Sequence, residues 1–553
     1  MCTKTVMRIS AAFISLAICA LSTAQSAVEF GKVKEKYLLL PVSKSSPRRQ
    51  AVLSAPGMED YTFLIRLAPD EVSTDYWVYC ETDIYRGKKL TLSFPVEQGM
   101  GLVHLSDTIP GEAEMYREPL RPQQHFTFKR GWNNDPNGLI YHNGEYHLFA
   151  QHNPFEAAWQ NMHWGHAVSS DLVHWRQLPI ALRPDKLGTM YSGSAVIDWN
   201  NTAGFGKDGK SAMVAVYTSC GRVNFTPQCQ CLAYSLDNGR NWTKYEGNPV
   251  LESSTERFGS GTRDPKVFRY EPAGHWVMVL FEGDGHSIYT SPDLKEWTYR
   301  SHITGFYECP DFYELPVDGD PGNTKWVMTA ASGVYMLGSF DGFSFKSETG
   351  MLMYAEGEFY AGQTFSDFPD GRRVQILWEK TSYEDMPFRS SFSTPLEMTL
   401  RTTRDGVRLF AEPAHEFDIL QHSAFCSRNL SGEELMAALT PFGNEGSLRV
   451  KCTLSVSRTN TKPTLTIDGQ DLVRWDVGRC QINGKFYAPR ALDEKKLSFE
   501  LILDHGIIEA YFDGGAYSQF IGRKASKPGK GFEFSGDAHV DSLEIFTLDS
   551  IWE

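Results

Sequence analysis

SSDLVHW (169–175), SLDNGRNW (235–242), SPDLKEW (291–297) and SFDGFSF (339–345) share one frame: a serine, an aspartate two residues on, a short turn and an aromatic. The closing aromatics Trp175, Trp242, Trp297 and Phe345 lie 67, 55 and 48 residues apart. Each frame reads as a hairpin between two strands, and recurrence of one hairpin at intervals of this size marks a repeat architecture. With ILWEK (376–380) and the strand after MPFRSS (386–391) as a fifth unit, the repeat predicts a five-bladed β-propeller. Uneven spacing is then the result of insertions between blades.

Outward from the repeat, short alternating runs rich in Val, Tyr, Phe, Trp and Thr are bounded by Gly, Pro, Asn and Asp, so the chain reads as all-β. Its 553 residues suggest three domains. Residues 28–121 carry strand-like pieces (YLLLPV, YTFLIRLA, YWVYCETDIY, KLTLSF) and end in the linker-like EPLRPQQ; residues 122–415 hold the propeller. Residues 416–553 show SLRVKCTLSV, KLSFELILD and IIEAYFDGG, spaced by turn signals as in a β-sandwich. The expected fold is therefore a five-bladed propeller followed by a C-terminal β-sandwich, with an additional N-terminal β-rich domain of unassigned role.

Residues 1–27 differ from the rest. Lys4 and Arg8 precede the apolar run ISAAFISLAICAL, and Ser22, Ala24, Ser26 and Ala27 follow, which is the pattern of a signal peptide. The run is short for a membrane span, so export by a cleaved leader is expected, to the medium, the periplasm or the cell surface. Removing the leader leaves 52 basic against 68 acidic residues, a net charge of −16. Such a surface argues against nucleic acid as a partner. Cys220, Cys229 and Cys231 cluster without a matching Cys/His pair, which favours a disulfide or free thiols over zinc.

In a propeller the innermost strands line a central channel and begin at one face. Their predicted starts are Asn134-Asp135, Ser192-Gly193, Arg263-Asp264, Glu308-Cys309 and Tyr360-Ala361. Three carry a carboxylate, so the repeat predicts that Asp135, Asp264 and Glu308 meet at one rim, ringed by Trp132, Trp159, Trp164 and Tyr191. Pro136 and Pro265 bias the preceding aspartates to an extended backbone. Paired carboxyls in an aromatic pocket suit glycosidic cleavage, in which one donates a proton and the other meets an oxocarbenium-like centre. Crowding by Asp135 and Asp264 would raise the pKa of Glu308 and fit it for proton donation.

The motifs WNNDPNGLIY (132–141), QHNP (151–154), WQNMHWGHA (159–167), YSGSAV (191–196), RDPKVF (263–268) and YECPDFY (307–313) resemble, in order, those of glycoside hydrolase family 32, which includes invertases, inulinases and levanases. FELILDHGIIEAYFDGG (499–515) is similar to that family's C-terminal sandwich. The resemblance implies a retaining double displacement on β-fructosides, with Asp135 as nucleophile, Glu308 as general acid/base and Asp264 stabilising the transition state. It further implies a fructose pocket lined by Asn134, Gln151, Trp159, Tyr191, Ser192, Arg263 and Trp378, a fructan or sucrose-type substrate, and neither metal nor cofactor. Fructosyl transfer and a weakly active fructan-binding protein are the alternative readings. Departures from the family pattern, QHNP and Arg389 among them, fall on outer walls and bear on substrate preference.

Overall fold

The structure is a computed structural model and describes residues 26–252, 261–443, 445–486, 495–523 and 531–552. The leader expected at 1–27 lies outside these apart from Ser26 and Ala27, which open the strand Ser26–Lys32 and pair with Phe94 and Ser93.

Five blades carry the repeat, the first three as separate sheets and the last two joined in one ten-stranded sheet. Blade one is built from Gly131–His142, Glu145–Asn153, His163–Ser169 and Arg176–Leu182; blade two from Thr189–Asp198, Ala212–Val223, Thr226–Ser235 and Thr243–Lys244. Thr262–Tyr270 opens blade three, Asp311–Val317 blade four and Phe359–Thr364 blade five, each followed by its own antiparallel neighbours. The repeated frame is the turn between the third and fourth strands of blades one to four. In blade one Ser169 Oγ donates to Asp171 Oδ1 at 2.9 Å, and that oxygen accepts the backbone N–H groups of Val173 and His174 at 3.0 and 2.8 Å. Trp175 Nε1 then donates back to the Leu172 carbonyl at 2.9 Å, as Trp242 does to Gly239 and Trp297 to Leu294. The aspartate thus takes up N–H groups that the reversal strips of sheet partners.

Ring closure rests on polar contacts between innermost strands. Gln363 of blade five accepts Leu139 N from blade one at 3.2 Å and donates to the Gly193 carbonyl of blade two at 3.0 Å. Ser194 of blade two accepts Val267 N and donates to the Pro265 carbonyl of blade three. Lys266 forms a buried 3.0 Å ion pair with Asp311, while its Nζ also donates to the Thr364 carbonyl and Thr364 N donates to Asp311. Finally, Phe388–Arg389 pairs in parallel with Gly131 and Trp132, joining the end of the ring to its start.

The N-terminal region forms a four-stranded and a three-stranded sheet around a core that includes Leu38, Leu40, Phe63, Ile65, Val78 and Leu92. Phe155, from a propeller loop, is part of this same core. The C-terminal region pairs a seven-stranded with a five-stranded sheet, and Ala355–Gly357, between blades four and five, joins the edge of the larger one. The linker-like EPLRPQQ is a partly buried, hydrogen-bonded stitch and not a free connector. Arg121 is fully enclosed and bonds Glu118, Thr127 and the Phe128 carbonyl; Gln123 N and Gln124 N donate to Asp504 of the sandwich. His125 binds Asp504 at 2.8 Å and lies 3.4 Å from Glu509 and 3.8 Å from Glu379, all without solvent exposure.

Asp171→Ala leaves two turn N–H groups without their acceptor and should cost about 1–3 kcal/mol. A lower urea midpoint with unchanged turnover is the expected result; an unchanged midpoint would show that the turn does not depend on this carboxylate.

Candidate active site

Each innermost strand delivers its polar residues to the funnel through an irregularity. The pairing of blade one shifts register between Asn133 and Pro136, of blade two between Met190 and Gly193, of blade three between Arg263 and Lys266, and of blade five between Tyr360 and Gln363. The bulges therefore bracket Asn134-Asp135, Tyr191-Ser192, Asp264 and Ala361. In blade four Glu308 and Cys309 stand in the loop just before the strand begins at Asp311. Asp264, Glu308, Cys309 and Ala361 have φ of 64°, 53°, 41° and 54°. The extended backbone expected from Pro265 is thus overruled at Asp264, whose bulge turns it into the left-handed region. Left-handed backbone on non-glycine residues persists only where surrounding structure holds it, and bulges re-aim side chains beside functional sites.

The three predicted carboxyls come together. Asp135 Oδ2 accepts Ser192 Oγ at 2.5 Å and Gln151 Nε2 at 3.2 Å; Oδ1 accepts Asn134 Nδ2 at 3.2 Å. Asn134 is itself held by Trp132 Nε1 at 2.9 Å. Asp264 Oδ2 accepts the backbone N–H of Cys309 at 3.1 Å. The Cys309 thiol lies between the two aspartates, 3.6 Å from Asp135 and 3.5 Å from Asp264. Glu308 receives Arg263 Nη2 at 2.5 Å on Oε1 and the Tyr360 hydroxyl at 2.7 Å on Oε2.

Enclosure sets the electrostatics. Burial pushes Asp264 up to about 7; the neighbouring Asp135 and Glu308 add to the rise and Arg263, 3.8 Å away, opposes it. Asp135 is also raised, chiefly by burial, against the donors Ser192 and Asn134. In the fold the Arg263 guanidinium stands on Glu308, while Asp264 is an acid on which burial and neighbouring carboxylates press together. Tyr360 and Cys309 stand at strand starts that the sequence places on the rim, but that position was their only signal and neither was assigned a role in the site.

The remaining predicted residues form walls at different depths. Trp378 packs edge-on to Trp132, ring centroids 5.9 Å apart, and beside Tyr360, while the Arg389 guanidinium lies over the Trp132 ring at 5.2 Å. Trp159 and Tyr191 stand together on the opposite rim, 6.3 Å between centroids. Trp164 does not line the funnel: it is fully buried in the blade core and donates to the Tyr191 carbonyl at 2.9 Å. Cys220, Cys229 and Cys231 are free thiols, as are the other described cysteines. Among the described residues two groups have ligand-type atoms within 4.8 Å of one another: Asp135, Asp264 and Cys309 in the funnel, and His125, Glu379 and Glu509 at the propeller–sandwich junction.

A carboxyl held above its ordinary 3.8 in the native state lowers stability once the unfolded chain ionises. Asp264→Asn should therefore stabilise the protein at pH 8 by on the order of 1–3 kcal/mol, and the gain should fade as pH falls from about 7 and be gone by about pH 3, below the ordinary carboxyl value, where Asp264 is protonated folded and unfolded. Thermal unfolding of both forms across that range checks the sign; a variant less stable at pH 8 would contradict it.

Residues 125–413 match the family model described as glycosyl hydrolases family 32 N-terminal domain. A levanase of Bacillus subtilis (strain 168) is 35% identical over 496 residues, which cover 80% of this chain and 72% of that protein. An extracellular exo-inulinase of Aspergillus awamori is 37% identical over 351 residues, covering 54% of this chain and 65% of that protein. Among solved structures, an exo-inulinase from Aspergillus awamori superposes with a TM-score of 0.67 at 28% identity, over 79% of this chain and 100% of that chain.

Proposed function

The chain belongs to glycosyl hydrolase family 32, and we propose that it is an exported enzyme that hydrolyses β-fructosidic bonds of fructans, releasing fructose from chain ends with retention. One observation carries the proposal: Asp135, Asp264 and Glu308, far apart in sequence, converge in one aromatic-walled funnel with separate sets of partners.

Those partners divide the labour. Ser192 and Gln151 hold Asp135 Oδ2, so Oδ1, with one donor, keeps lone-pair capacity for attack on the anomeric carbon of the terminal fructosyl unit. As the glycosidic bond breaks, Glu308 gives its proton to the leaving oxygen and the fructosyl group is held as an ester of Asp135. Glu308, now a carboxylate, takes a proton from water; the hydroxide so formed displaces Asp135 and fructose departs. Arg263 and Tyr360 fix Glu308 through both of its oxygens, and they oppose the negative charge that returns to it after the first step. Asp264 fits a role against fructosyl hydroxyls, in which strengthening hydrogen bonds support the oxocarbenium-like transition state.

The direct test is incubation with levan, inulin and sucrose. Fructose as the early product supports exo-hydrolysis, fructosyl oligomers support transfer or internal cleavage, and no product from any of them removes the reading. Asp135→Asn should retain less than about a hundredth of wild-type kcat while still folding, because the replacement is nearly isosteric but cannot form the ester. Glu308→Gln should lose most on fructans and least on aryl β-fructosides, whose leaving groups need little protonation. Equal losses on both would contradict the acid role.

A further inference from the structure

The N-terminal region touches the propeller where the funnel rim is exposed. Its strand Tyr61–Ile65 alternates, Tyr61, Phe63 and Ile65 turned to its own core and Thr62 and Leu64 turned outward. Leu64 meets Asn161 of the propeller in a two-way clamp: Leu64 N donates to Asn161 Oδ1 and Asn161 Nδ2 donates to the Leu64 carbonyl, both at 2.8 Å. The clamp satisfies the outer edge of a sheet-terminal strand, which otherwise presents unpaired backbone groups. Six and five residues before the clamp the same loop sends Phe155 into the N-terminal core, stacked on Phe63 at 4.1 Å, and Glu156 onto Arg48 at 2.7 Å. The loop's remaining prominent side chain is Trp159.

Between the two regions lies a cavity of about 210 Å³. Gln50, Thr62 and Leu64 line one side; Trp159, Tyr191 and Phe225 line the other. Its Tyr191 wall faces toward the acids, since the Tyr191 phenol feels the charges of both Arg263 and Asp264. Trp159 and Phe225 remain 37% and 54% exposed, with ring centroids 5.7 Å apart. Two partly exposed aromatic faces opposite hydroxyl- and amide-bearing side chains match the two-sided chemistry of a sugar ring, apolar on its C–H faces and hydrogen-bonding around its edge. Arg222 closes one end by donating to the Thr62 carbonyl at 3.1 Å.

We propose that this cavity is a carbohydrate subsite for the leaving side of the substrate, occupied by a sugar residue of the chain beyond the scissile bond, and that the N-terminal region contributes half of it. The inference rests on the β-fructosidase reading and extends it: the N-terminal region is a specificity element for chains, holding the Trp159 loop and supplying the facing wall.

Leu64→Trp and Thr62→Trp each fill the cavity from the outward face of a surface strand, and Phe225→Ala removes one aromatic platform. The measurement is kcat/KM for levan and for inulin against kcat/KM for methyl β-fructofuranoside, whose leaving group is too small to reach the cavity. For each variant the better polymer-to-methyl-fructoside ratio should fall by about tenfold or more, since pocket contacts discriminate on that scale. Ratios within about twofold of wild type in variants that elute and melt as folded protein would overturn the subsite. Should one tryptophan variant fail to fold, the other and Phe225→Ala carry the test. A wild type that cleaves none of the three substrates overturns the proposed function and the subsite together, whereas an active wild type with unaltered variant ratios overturns the subsite alone.

Discussion

A buried ion pair, Lys266 with Asp311, and the Thr364 backbone that both of them bind, tie together the innermost strands of three blades. A ring of sheets faces a constraint that a stacked sandwich does not, since its central strands are crowded side by side and their polar groups have no water to turn to. Removing one member of such a pair strands the other charge, at about 3–5 kcal/mol. Here the ammonium also serves a carbonyl and the carboxylate an N–H, so neither charge depends on its counterion alone. Gln363 and Ser194 close the other junctions in the same way. The carboxyls above this floor keep their mutual positions because the floor cannot spread.

The chemistry above the floor works against the fold that holds it. Three acids and one guanidinium share a space that excludes most solvent, and the most enclosed acid, Asp264, is pushed to about 7. Its backbone is left-handed and its strand is bulged. Backbone and charge are thus both held in unfavourable states at the same residue, as is common where a site is preorganised for a transition state and not for its own rest.

The sequence was legible where structure is local. The Ser-x-Asp turns could be read because donors and acceptors lie within six residues, and they carried the propeller with them. Asp135, Asp264 and Glu308 followed from the repeat. Long-range effects were not legible: nothing in RDPKVF says that Arg263 bonds Glu308 more closely than its neighbour Asp264, or that a register shift overrides the proline that follows. EPLRPQQ looked like a tether because its residues are polar and proline-bearing; their partners, Asp504 and the Trp552 indole, are hundreds of positions away. Trp164 misled for the opposite reason, sitting among pocket residues in the sequence while its ring turns into the blade.

Phe155 belongs by sequence to the propeller and by packing to the N-terminal core. A ring lodged in a neighbour's interior makes the two regions poor candidates for exchange: a propeller transplanted without its companion would carry a bare aromatic and an orphaned carboxylate, and the companion alone would have a hole. Recombination that shuffles whole cassettes among carbohydrate-active proteins would therefore move this pair as one inheritable unit.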